Sequence, residues 1–195
     1  MTFKLLNTAF VGLILTLLCT ANTAKAGLIE TDFINLNDNL AVYDTDTKLT
    51  WLDLSVTDGL SYNAAKAVAP SFRYATEYEV VGLFSTVFPS VNFSNTFGAI
   101  YIDLNDANIF RTLFGETLSK HSFGMFLNNA GRIDSLGTFG DKVAHNANFV
   151  ENDADASKHW HGVFLVKDSL SVPEPSSLFI FALGMLSLIG ARIKS

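Results

Sequence analysis

Hydrophobic positions divide the chain into three regimes. Residues 5–18 are almost continuously apolar, broken only by Asn7, Thr8, Gly12 and Thr16, and residues 178–191 form a second apolar run. Between them, short apolar bursts alternate with clusters of Asn, Asp, Thr, Ser and Gly, the pattern of a folded domain with many turns. Within this middle region Leu40-Ala41-Val42-Tyr43-Asp44 predicts a strand, Thr45-Asp46-Thr47-Lys48 a turn, and residues 49–54 a returning strand. Ser61 is placed to cap a short helix through Tyr62, Ala64, Ala65 and Val68 that ends at Pro70. Thr76 and Glu79 form a capping box for a second helix with Val80, Val81 and Phe84 as its buried stripe. A third helix over residues 106–114 carries Phe110, Leu113 and Phe114 at helical spacing, with Gly115 as its cap.

Downstream the period changes. Phe123, Met125 and Leu127 alternate, Asn128-Asn129-Ala130-Gly131 reads as a hairpin loop, and residues 132–139 as its partner strand. Residues 159–167 predict a last strand, apolar on both faces from Val163 to Val166 and therefore central. Strands, then helices, then strands favour an α+β fold in a single globular domain over residues 27–171.

The flanks read as processing segments. Residues 1–26 have a basic start at Lys4, the apolar run, and the small-x-small sequence Ala24-Lys25-Ala26, which predicts a signal helix cleaved before Gly27. The other readings are a membrane anchor or a buried helix, and the run is short for a span. Cys19 is the sole cysteine and is preceded by Leu18, which does not suit a lipidation site. Cleavage after Ala26 leaves a chain with no disulfide, thiol or thiolate chemistry.

At the other end stand Val172, Pro173, Glu174 and Pro175, then the apolar run, then Arg192 and Lys194. Two prolines keep the approach extended and accessible. With Ser176 and Ser177 the run reaches 16 residues, about 24 Å as a helix and just able to cross a thin bilayer, so a transmembrane helix is expected over residues 177–191. Basic residues beyond it place that end in the cytoplasm and the body outside. Motif, helix and basic tail in this order over residues 172–195 resemble the PEP-CTERM sorting signal of Gram-negative bacteria. The resemblance implies recognition by an exosortase, cleavage near Pro173-Glu174-Pro175, and transient inner-membrane anchoring before delivery to the cell surface or extracellular matrix. A plain C-terminal anchor that stays attached is the alternative.

Charge agrees with this partition. Residues 27–175 hold all nineteen acidic residues and nine of the thirteen basic ones, a formal charge of −10 against −6 for the chain. Such a body repels nucleic acid and anionic lipid.

The body itself resembles a type common among PEP-CTERM proteins, through Leu49-Thr50-Trp51-Leu52-Asp53-Leu54, Leu60-Ser61-Tyr62, residues 72–80 and residues 164–168. More loosely it is similar to bacterial domains of C-type-lectin-like fold, with Tyr74-Ala75-Thr76 standing where those carry Leu-Pro-Thr. That resemblance implies a loop able to bind ligands, and by itself establishes no sugar binding.

Candidate chemistry is sparse. His159 and His161, on one face of a strand, would ligate zinc or nickel if His121 or His145 joined them; the plainer reading is two histidines flanking a buried Trp160. Glu151, Asn152, Asp153 and Asp155 form an acidic loop in which calcium is a weak alternative to simple solvation. Asp44-Thr45-Asp46 reads as a turn and Asp103-Leu104-Asn105-Asp106 as a helix cap. Trp51 and Trp160 are expected in the core, with sugar stacking as the other reading. There is no nucleophile elbow and no phosphate-cradling glycine loop. No catalytic residue, cofactor or metal is therefore expected, and the chain reads as a non-enzymatic surface protein. Its expected partners are signal peptidase, exosortase and exopolysaccharide, not nucleic acid. The alternatives are a carbohydrate- or calcium-binding lectin-like module and a secreted hydrolase with converging carboxylates.

Overall fold

A computed structural model describes residues 27–93, 98–146 and 153–169. The expected signal segment with Ala24 and Ala26, the sorting motif, the helix over 177–191 and the basic tail lie outside the described residues. No helix among the described residues is long and apolar enough to cross a membrane.

The described chain is α+β. Strands β1 (Leu28–Thr31), β2 (Ala41–Asp44) and β3 (Leu49–Leu52) are followed by a 3-10 turn, Leu54–Thr57, and helix α1 (Tyr62–Val68). Next come β4 (Arg73–Tyr74), α2 (Glu77–Val87), β5 (Gly98–Tyr101) and α3 (Leu104–Phe114). Strands β6 (His121–Leu127), β7 (Ile133–Phe139), β8 (Lys142–Asn146), β9 (Gly162–Val163) and β10 (Leu165–Asp168) complete it. One sheet runs β1-β2-β3-β10-β4 and is antiparallel throughout. The other runs β5-β8-β7-β6-β9, with only β9 parallel to its neighbour β6.

Local chemistry sets the helix boundaries. Ser61 Oγ accepts from Ala64 N, the expected cap of α1. Thr76 and Glu79 form the full capping box of α2, and Arg73 grips the same Glu79 carboxylate with two guanidinium bonds of 2.9 and 2.7 Å. Asp103 caps α3, which begins at Leu104, two residues earlier than the period implied. Gly115 ends it with φ +73°, open to glycine at little cost.

The two sheets meet where the chain passes from β9 through Phe164 into β10. Successive residues there point into different cores: Phe164 and Val166 join Trp51, Phe84, Phe110 and Phe126, while Val163 and Leu165 join Leu52, Tyr62, Phe72 and Met125. A strand with apolar neighbours on both sides loses the alternating pattern, as expected for residues 163–166. The same cause corrects the expectation for β6. Met125 and Phe126 are both buried, in different cores, and Leu127 is exposed instead of continuing an apolar face. The larger core is aromatic: Phe164 meets Trp51 edge-on at 6.1 Å and Phe84 at 6.0 Å, and Phe110 stacks on Phe114 at 4.7 Å.

Both ends of the body meet at one turn. Gly27 O accepts from Thr45 N at 2.7 Å, and Ser169 N donates to Lys48 O at 2.9 Å. The β2–β3 turn therefore holds the first residue after the expected signal cleavage and the last described residue before the tail.

Candidate functional site

The feature that departs furthest from sequence expectation is the loop leading into β9. Residues 159–161 are not a strand: Trp160 has φ +75°, a left-handed conformation in which a bulky side chain is an outlier. This turn separates the two histidines. His159 is exposed and His161 is 4% exposed, so they do not share a face. Trp160, expected in the core, is 53% exposed, whereas Trp51 is buried at 1%. Trp51 occupies a central strand, and Trp160 sits where the backbone has reversed hand before the sheet begins.

Buried groups clamp this backbone. Thr117 Oγ1 donates to Trp160 O at 2.6 Å and itself receives Phe123 N at 3.3 Å. Gly59 N donates to His161 O at 3.2 Å, and Val163 N donates to Thr57 Oγ1 at 2.8 Å. Gly162 lies so close to the 3-10 turn that a Cβ would stand 2.2 Å from Leu54 O, so only glycine fits between the clamps. The preceding loop is fixed as well: Asn63 N donates to Ala154 O, and Ser157 bridges to Ser61.

The histidines occupy separate surroundings. His161 stands 5.2 Å from the Phe123 ring, and burial holds its imidazole down at about 4, so it is neutral at pH 7. His121 stacks on Phe139 at 6.0 Å, and His145 Nε2 lies 3.3 Å from Asp134 Oδ2. No group of three His, Cys, Asp or Glu side chains suited to a metal is present among the described residues. His121 and His145 thus do not complete a ligand set with His159 and His161 there. In the acidic loop Asp153 Oδ1 accepts from Asp155 N, and Asp155 Oδ1 accepts from the Asn63 amide, so these carboxylates hold the loop to α1. Glu151 and Asn152 lie outside the described residues. Asp44 accepts from Asp46 N and Thr47 N, the expected turn.

Open grooves also mark the surface of the described residues. One, of about 590 Å³, lies between β1, the end of α2 and α3, with Leu28, Val87, Ile109 and Leu113 as its apolar lining and Glu30 and Asp106 at its wall. Another, of about 500 Å³, crosses the outer face of the first sheet over Ile29, Tyr43, Thr50 and Lys167.

The decisive finding lies beyond the described body. The family model of the PEP-CTERM protein-sorting motif matches residues 171–194. The chain carries a PEP-CTERM sorting motif. The match includes Val172, Pro173, Glu174 and Pro175 as well as Arg192 and Lys194, the residues from which the sorting signal was read. A PEP-CTERM motif marks an exported protein sorted through an exosortase to the surface. No curated protein and no solved structure matches the chain, and the C-type-lectin-like resemblance of the body gains no support from them.

Proposed function

We propose that this PEP-CTERM protein is a non-enzymatic structural or interaction component of the cell surface or extracellular matrix of a Gram-negative host, acting beside exopolysaccharide. The observation that carries the reading is the sorting motif at residues 171–194, immediately behind the last described strand. Signal peptidase frees the chain at Gly27, the helix over 177–191 anchors it transiently in the inner membrane, and exosortase cuts near Pro173-Glu174-Pro175. Two properties support this order. Both ends of the body are tied to one turn, which suits a domain tethered to a membrane at either end during processing. The charge of −10 over residues 27–175 suits solubility once released.

Intact mass of the protein in separate cell fractions tests the proposal. A species beginning near Gly27 and ending between residues 173 and 176, in the surface or culture fraction, is the expected result. A species retaining Lys194 and Ser195 in the inner-membrane fraction would replace it with a permanently anchored periplasmic domain. A second reading, a carbohydrate-binding module, is favoured by the exposure of Trp160.

A further inference from the structure

We propose that Trp160 is the stacking surface of a carbohydrate-binding site, taking the flat apolar face of a neutral pyranose ring. Four observations lead there. The indole is 53% exposed, although the domain buries its other tryptophan completely enough to leave 1%. Exposing so large an aromatic forgoes burial that the core would reward. The residue holds φ +75°, a conformation costly for any side chain but glycine's. That backbone is held at two successive carbonyls, by the buried Thr117 hydroxyl on Trp160 O and by Gly59 N on His161 O, so the ring is displayed from a fixed base. A ring on a held backbone has only its own two side-chain torsions to lose when a ligand settles on it.

The surroundings select the ligand class. Trp160 follows Ser157, Lys158 and His159 in the same loop, with Ser157 and His159 exposed, so an open aromatic and polar side chains share one short segment. A sugar ring presents that combination, C–H groups on a face and hydroxyls at the edge. A protein partner would be met by a larger patch with a packed centre. A nucleobase would also stack, but its phosphates would meet a body of charge −10. Position agrees as well. Residues 162–168 run extended through β9 and β10, so Trp160 and Ser169 lie at opposite ends of that run, at most about 30 Å apart.

The inference deepens the surface-interaction reading and rests on it only for where the ligand is met. Its test is affinity electrophoresis of the full chain in non-ionic detergent, in native gels cast with dextran, mixed-linkage β-glucan or galactomannan. Retardation by at least one of these is expected, weakened about tenfold in affinity by Trp160→Ala, with Trp160→Phe retaining part of it. Trp160→Gly should also lose retardation while its melting midpoint is no lower than that of the parent, which separates lost stacking from lost folding. Overturning results are no retardation in any of the three gels, or equal retardation of Trp160→Ala. A concentration-dependent dimer abolished by Trp160→Ala would put a second copy on the ring and also overturn it. Binding in a gel requires no sorting, so misplacement in cell fractions would sink the surface reading and leave this one standing.

Discussion

Gly115 shows how much one residue can hold. It ends α3 at φ +73°, and a Cβ there would stand 2.0 Å from Asp53 Oδ1. Asp53 is itself committed: 5% exposed, it accepts from Ser55 N at 2.7 Å and Ser55 Oγ at 2.6 Å. Gly115→Ala therefore incurs both the left-handed penalty and a clash with a carboxylate that has no free place to go. It is expected to cost about 2–4 kcal/mol in urea unfolding. Gly131 has a similar φ of +74° but open space around it, so Gly131→Ala should cost only about 1 kcal/mol, the conformational share alone. Equal costs at the two positions would mean that the Asp53 contact is relieved by movement. From sequence, Gly115 was legible as a cap; its contact with Asp53 joins two distant segments and was not.

At the scale of elements, α2 owes its start to a local code and its place to a distant one. The capping box of Thr76 and Glu79 lies within four consecutive residues, and the Arg73 pair lies just upstream. Thr76→Ala is expected to cost about 1 kcal/mol in chemical denaturation and to speed amide exchange in the first turn of α2. Exchange faster across the whole of α2 would instead show that the cap holds the helix as a unit. The helix docks through Val80, Leu83 and Phe84, with Val81, expected in the stripe, only half-buried at its edge. Elements with such local signals were legible before the structure: α1, α2, α3, the β2–β3 hairpin and the β6–β7 hairpin. Strands β1, β5 and β8 were not, because each is short and gains its identity from the neighbour that pairs with it.

Stability against pH belongs to the whole molecule, since it sums over groups in different elements. Burial depresses His161 from 6.5 to about 4, so between these values the unfolded chain takes a proton that the folded one refuses. Stability should therefore fall as pH drops from 6.5 to 4. The Arg73 guanidinium and the Thr76 cap hold Glu79 down from 4.5 to about 2, so a further loss follows over that lower window. Asp53 opposes both: burial raises its carboxyl above 3.8, the folded state protonates first, and acidification relieves it. Melting midpoints across pH 7 to 3 should decline, and His161→Gln should flatten the segment between 6.5 and 4. A profile unchanged by that substitution would remove His161 as the cause.

What the sequence determined by itself was whatever chemistry is written in consecutive residues: the sorting motif from Val172 to Lys194, helix caps at Ser61, Thr76 and Asp103, turns, and the α+β order. These signals act through neighbours in the chain, and no distant contact is needed to read them. The tertiary structure decided what depends on distant partners. It passed the final run from one sheet to the other at Phe164, gave β6 two buried faces, and placed His159 and His161 apart. It also put Trp160 outside, where the Thr117 hydroxyl holds its carbonyl and the Leu54 carbonyl crowds Gly162 just after it, both from far away in sequence. Exposure is a property of what packs against a residue, and a sequence window contains none of those atoms.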